Sequence, residues 1–280
     1  MSLRQDLDKR LQSLADINKI LGSMRSLAYL EARKLTRFLS SQLRVVEQIE
    51  RAAADFLTAY PGLRSGSEQA LQVLVVIGSE RGFCGDFNDL LIHSLGGHAL
   101  GPGASAPRVI AVGQKLTMAM AGDPRLEGGM EGPSVAEEVH AILLKLTSQV
   151  NRLSAEHGPV GLSVVYHDSE QDAVRTVSVL PPFRDRHEIE AYGYPPQLNL
   201  PPQQFFVDLV DQYLFAVLYR MFYTSLMAEQ QYRVHHLEGA MKRLEEQTAD
   251  LGLRRNSLRQ EEITEEIEVI LLGTGDQKLS

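Results

Sequence analysis

Every proline in this chain lies between Pro61 and Pro202, and that confinement limits what the two ends can become. Proline removes a backbone donor and collides with the preceding turn, so a stretch without it is free to stay helical. Glycine, which weakens helices, follows the same partition. Of the 22 glycines, 17 fall in that interval, against one in residues 1–60 and two in 203–272. This predicts an N-terminal helix over 1–60, a globular domain over 61–202, and a C-terminal helix with a short tail over 203–280.

The ends carry matching stripes. Alternating steps of four and three from Leu3 to Phe56 visit sixteen positions, thirteen of them apolar, including Ile17, Met24, Leu35, Phe38 and Val45. Such a 3.5-residue repeat draws helices into a left-handed supercoil. A continuous helix over 3–58 would run roughly 84 Å. Near the other end, Phe206, Val210, Tyr213, Val217, Met221 and Ala228 make a broad apolar face. Val234, Leu237, Met241, Leu244, Leu251 and Leu258 continue it at steps of three, four or seven, and Ile263, Ile267 and Ile270 then shift phase like a stutter. Pro201-Pro202 reads as the helix entrance and Gly273 as its stop. Two such stripes can bury each other as an antiparallel pair. Segmented helices folded into a bundle, or dimerisation through one stripe, are the alternatives.

The middle alternates in kind. Leu71–Ser79, Arg108–Gly113, Val160–His167 and Thr176–Leu180 read as strands. Ser134 with Glu137 reads as a capping box opening a helix that runs to about Ala155. Gly96–Pro107 and Asp123–Pro133 read as loops. The fold class is α/β: a largely parallel, Rossmann-like sheet domain between the arms of a long antiparallel coiled coil.

Charge narrows the function. The net charge is -8, but residues 1–58 carry +3 while 59–202 and 203–272 carry -6 and -5. An acidic chain of this kind is not a general nucleic-acid binder. No run of eighteen apolar residues exists, so no membrane-spanning helix is expected. The N-terminus, charged from Arg4, lacks the apolar core of a signal peptide and does not read as a transit peptide. A lone Cys84 excludes a disulfide scaffold and a regulatory cysteine pair, and suits a reducing compartment. Arg254, Arg255 and Arg259 precede Glu261, Glu262, Glu265, Glu266 and Glu268, which read either as a solvated face or as a dipolar tip inserted into a partner.

Candidate chemistry is sparse. The string Ser79–Asn88, SERGFCGDFN, follows a strand as a phosphate loop would, yet its glycines fit no phosphate-binding pattern, and Glu80 and Asp86 would repel an anion. Adjacent His235 and His236 do not share a helix face for a metal. No catalytic residue, cofactor or metal is expected.

Three segments resemble the gamma subunit of F-type ATP synthases, the central rotor shaft. Lys19-Ile20 with Met24 is similar to the family's K-I-T-K-A-M run. SERGFCGDFN is similar to S-D-R-G-L-C-G-x-F-N, through Ser79, Arg81, Gly82, Cys84, Gly85 and Asn88. Leu251–Glu266 follows L-x-L-x-x-N-x-x-R-Q-x-x-I-T-x-E. The resemblance implies a non-catalytic shaft whose helical tip rises into an alpha–beta hexamer. Its α/β domain would sit beside the epsilon subunit and the membrane ring of c subunits. Ion flow would turn it, coupling proton or sodium translocation to ATP synthesis or hydrolysis. By position, Arg259, Gln260 and Thr264 match residues that contact the beta subunit, and Met24, Glu229 and Arg233 match neck and shaft contacts. Substitutions around Ala228–Val234, Leu237–Arg243 and Ser26–Lys34 suggest a divergent paralogue, as in the gamma-type subunits of alternative, including sodium-translocating, ATPases. The expected location is peripheral, on the cytoplasmic face of a bacterial inner membrane. The competing reading is a nucleotide-binding α/β enzyme with helical oligomerisation arms.

Overall fold

The computed structural model describes residues 3–63, 71–96, 107–183 and 196–275, with side chains to Ile270. In chain order the elements are helix α1 (Leu3–Ala59), strand β1 (Leu71–Ile77), α2 (Phe87–Gly96), β2 (Arg108–Val112), α3 (Gln114–Ala119), β3 (Leu126–Met130), α4 (Val139–His157), β4 (Val160–Asp168), β5 (Ala173–Leu180) and α5 (Pro202–Gly275). Both proline-free ends are single helices, and Pro202 stands at the first position of α5, where its missing donor costs nothing. α5 runs through the expected stop at Gly273 to Gly275. Serine and threonine are tolerated along α1 because their hydroxyls bond back to the preceding turn, as Ser13 does to the Lys9 carbonyl at 3.0 Å and Ser26 to that of Gly22 at 2.9 Å.

The chain forms two compact units, Ala28–Arg233 and the remainder at its two ends. In the terminal unit, Arg4 pairs with Glu262 (2.9 Å), Asp8 with Arg255 (3.7 Å) and Arg25 with Glu238 (3.9 Å). Numbers fall on α5 as they rise on α1, so the two segments are antiparallel. These pairs are exposed and screened, and they fix alignment more than they add stability. The α5 seam covers Val234, Leu237, Met241, Leu244, Thr248, Leu251, Arg255, Leu258 and Glu262, in unbroken steps of three and four. Ile263, Ile267 and Ile270, expected to continue it as a stutter, are exposed instead, because α1 begins opposite this end and supplies nothing to cover them.

The α1 seam corrects the expected stripe by half. Leu7, Leu14, Leu21, Ala28, Leu35, Ile49 and Phe56 turn inward as the spacing requires. Ile17, Phe38 and Val45, expected to alternate with them, are exposed. Their places are taken by the next residue along, Asn18, Leu39 and Val46, in a row that also includes Leu11 and Ala53. Both choices satisfy a 3.5-residue repeat, and apolar residues lie on both flanks, so periodicity alone does not separate them.

The Ala28–Arg233 unit is layered. Its five-stranded sheet has the order β3-β2-β1-β4-β5. β1 pairs in parallel with β2 and β4, and β2 with β3. β5 runs antiparallel to β4, because only four residues connect them, too few for a crossover. Side chains alternate across the sheet. Val73, Val75 and Ile77 face α4, α1 and α5, while Leu74 and Val76 face α2 and α3. On the first face, α5 from Ala216 to Gln230 is buried on nearly all sides, which is why apolar residues dominate it and Thr224, Ser225, Glu229 and Gln230 are buried polar exceptions.

Two local expectations fail here. β3 lies inside the stretch read as loop, since its sequence LEGGM has too few apolar residues to announce a strand. The expected cap at Ser134 and Glu137 does not form, and α4 is entered through a single turn at Ala136–Glu138. Glu137 pairs with Lys34 instead, and the Glu138 carboxylate accepts the Ser134 amide at 2.7 Å. Most of the expected loop at Gly96–Pro107 lies outside the described residues.

Candidate functional site

In a doubly wound sheet, ligands bind in the crevice beyond the carboxyl ends of the strands, where the strand order reverses. Here that point lies between β1 and β4, and the SERGFCGDFN loop leaves β1 directly above it. The loop closes on itself. The Ser79 amide donates to Asn88 Oδ1 (3.0 Å), and Asn88 Nδ2 donates to Ser79 Oγ (2.8 Å). Gly85 has φ +58°, a left-handed conformation that glycine adopts without strain. Phe83 also has a positive φ, +65°, unusual for a bulky side chain, and its ring is half exposed. The Arg81 side chain is exposed beside it.

Next to the loop, Gly78 and Gly113 permit a close crossing of the β1 and β2 ends. A Cβ at Gly113, where φ is +113°, would stand 2.7 Å from the Ser79 carbonyl oxygen. Glu80 fills the space where an anion would be expected. Its Oε2 accepts the amides of Gln114 (2.9 Å) and Gly132 (2.7 Å), tying together the segments that follow β1, β2 and β3.

α5 occupies the crevice itself. Ser225 Oγ donates to the Ile77 carbonyl at the end of β1 (3.2 Å). One and two turns on, Glu229 and Arg233 are 3% and 7% exposed. The Arg233 guanidinium donates from Nε to the Gly82 carbonyl (3.2 Å), from Nη1 to Gln230 Oε1 (2.7 Å), and from Nη2 to the Arg81 carbonyl (3.4 Å), Cys84 Sγ (3.1 Å) and Glu229. The Cys84 thiol lies 3.9 Å from Glu229 Oε1. Burial, aided by Glu229, pushes that thiol up to about 12, so it stays protonated and unreactive at neutral pH. Burial pushes the Glu229 carboxyl up to about 7, against the opposing pull of Arg233. From β4, His167 Nε2 sits 2.8 Å from the Phe87 carbonyl and stacks on the Phe87 ring, with Tyr232 beside both. Burial lowers the affinity of that imidazole for a proton.

The structure therefore joins the Arg81 and Gly82 carbonyls and the Cys84 thiol to Glu229 and Arg233, with Ser79 and Asn88 bracing the same loop and Gly85 exposed at its turn. Sequence reasoning did not connect them, because about 150 residues separate the loop from its partners on α5. Glu80 was read only as a charge that would repel an anion, and Gln230 and Ser225 were given no role; a short polar side chain among apolar ones on α5 was the only available signal for Ser225. Arg259, Gln260 and Thr264 lie elsewhere, in the terminal unit, and all three are exposed. At 100° per residue Gln260 and Thr264 lie opposite the Leu258 and Glu262 side of α5, while Arg259 lies on its flank, 60° from Glu262. Met24 is half-buried beside the α1 seam. Among the described residues no cluster of His, Cys, Asp or Glu could hold a metal ion, and no helix is long and apolar enough to cross a membrane.

The chain is similar to known proteins along almost its whole length. The family described as ATP synthase matches residues 3–275. The ATP synthase gamma chain of Clostridium beijerinckii is 23% identical over 287 residues, covering 97% of each chain. That of Clostridium botulinum strain Langeland is 25% identical over 282 residues, covering 96% of each. Among solved structures, a chain of the rotor of the Euglena gracilis mitochondrial ATP synthase superposes with a TM-score of 0.62 at 16% identity, covering 93% of this chain and 98% of that one. A chain from the OSCP/F1/c-ring assembly of the same enzyme gives 0.65 at 14%, covering 98% and 94%.

Proposed function

The chain belongs to the ATP synthase gamma-chain family, and from that premise we propose how its parts serve a central stalk. It is a non-catalytic subunit of a membrane-associated rotary complex whose partners are the alpha–beta head and the membrane ring. Two unbroken helices form the shaft, and the α/β region is a rigid mount. The observation that carries this reading is α5 lying in the crevice where a doubly wound enzyme holds its ligand, with Glu80 on the amides an anion would use. The nucleotide-binding alternative loses its site to the chain's own side chains.

Finer assignments follow. Arg259, Gln260 and Thr264 contact the beta subunit, Arg259 through directional, charge-assisted bonds to a carboxylate. The exposed Ile263, Ile267 and Ile270 enter the head, where partner side chains cover them. Met24 supports the neck, whereas Glu229 and Arg233 brace the shaft from inside the mount. The epsilon subunit docks on the α/β region, the domain division falls near residues 60 and 202, and the complex sits on the cytoplasmic face of a bacterial inner membrane. Co-expression with alpha, beta and epsilon subunits tests this. The chain co-purifies with them, and charge reversal at Arg259 abolishes coupled activity while leaving assembly intact. A chain that stays monomeric beside those partners would sink the proposal.

A further inference from the structure

The joint between α5 and the loop buries the Glu229 carboxyl against a guanidinium divided among five acceptors, Glu229 included. Glu229 lies wholly inside, and its facing groups are Arg233 from α5 with Cys84 and Glu80 from the loop. From β4, His167 is turned to the Phe87 carbonyl, and the acids that act on it are Asp172 and Asp86. Arginine stays protonated in proteins, so Glu229 is the group here whose charge can change near neutrality without breaking the covalent frame. The two carbonyls that Arg233 holds, Arg81 and Gly82, immediately precede Phe83, the strained residue that presents its ring to solvent.

We propose that Glu229 and Arg233 form a proton-controlled latch between α5 and the SERGFCGDFN loop, which sets how firmly Arg81 and Phe83 are displayed. Closed, the carboxyl is buried; open, it is in water. Its proton affinity is raised in the closed form, so the closed form binds the extra proton and the latch is tightest at low pH. As pH rises from about 4.5 through about 7, ionising the buried carboxyl penalises the closed form, and opening increases until the closed-form carboxyl is fully ionised.

The chain supplies its own reporter, since Cys84 is its single thiol and lies in the latch. The full-length chain is treated with dithiodipyridine across that pH range, and each rate is divided by that of the unfolded chain at the same pH to remove the thiol's intrinsic reactivity. The normalised rate rises with pH in the wild type and stays flat in Glu229→Gln. Parallel profiles in the two proteins would overturn the latch. Isotope-edited infrared spectroscopy of the wild type needs no variant: a buried protonated carboxyl that disappears near neutrality supports the proposal, and a set of glutamates fully ionised from pH 5.5 upward overturns it. Neither readout involves the other subunits, so failure here leaves the stalk assignment standing, and failure of co-purification leaves the latch standing.

Discussion

The Ala28–Arg233 unit and the terminal helix pair use the same kinds of residue to opposite ends. In the first, apolar side chains fill both faces of a sheet, and the polar groups that enter are bonded to one another. In the second, the seam admits Asn18, Thr248, Arg255 and Glu262, while Ile17, Ile20, Leu253, Ile263 and Ile267 face outward. A layered unit can finish its core alone. A two-helix seam cannot, because each helix buries only one stripe, and an exposed apolar stripe of this kind marks an interaction surface. The difference separates a part that holds its own shape from one completed by a partner.

Truncations test that difference most strongly. Phe222→Ala, at a fully buried ring, lowers the unfolding free energy by about 3–5 kcal/mol in denaturant titration, whereas Leu21→Ala in the thinner seam lowers it by about 2 kcal/mol. Equal losses would erase the contrast. A smaller effect comes at Asn18, whose Oδ1 is buried without a partner among the described residues. Asn18→Leu stabilises the helix pair by about 1 kcal/mol, read as a raised Tm; a loss of that size would mean the amide has a function in the seam. His167 gives a pH signature. Its proton affinity is lowered by burial, so its contribution is present above the ordinary imidazole range near 6.5 and is lost as pH falls through its lower folded value. Comparing unfolding at pH 5 and pH 7.5, His167→Gln loses less than the wild type on acidification. The smallest effect on folding belongs to Arg259→Glu, an exposed position where the change stays within about 0.5 kcal/mol. Its effect on the assembled complex is the large one.

Much of the architecture was legible in the chain because it rests on exclusion. Proline marks where helices cannot run, and its absence from both ends predicted α1 and α5 closely. Strand positions were legible where Val and Ile accumulate, as in β1 and β2, and illegible at β3, where Gly128 and Gly129 carry no apolar signal. The α1 seam was half legible, since Leu7 and Leu35 satisfy any reading but Val45 and Val46 compete for one role. The loop residues were recognisable as a motif. Their purpose was not, because it depends on Arg233 and Glu229 arriving from the far end of the chain. Arg259, Gln260 and Thr264 were legible only through the motif, since all three are exposed and take no part in the seam.

The central claim is that this chain turns inside the head. With an alpha–beta hexamer fixed to a surface and a bead attached to the α/β region, the account predicts unidirectional, ATP-dependent rotation in steps of threefold symmetry, abolished by Arg259→Glu. A bead that stays stationary, or only fluctuates, on a hexamer that is hydrolysing ATP and retains this chain would contradict it.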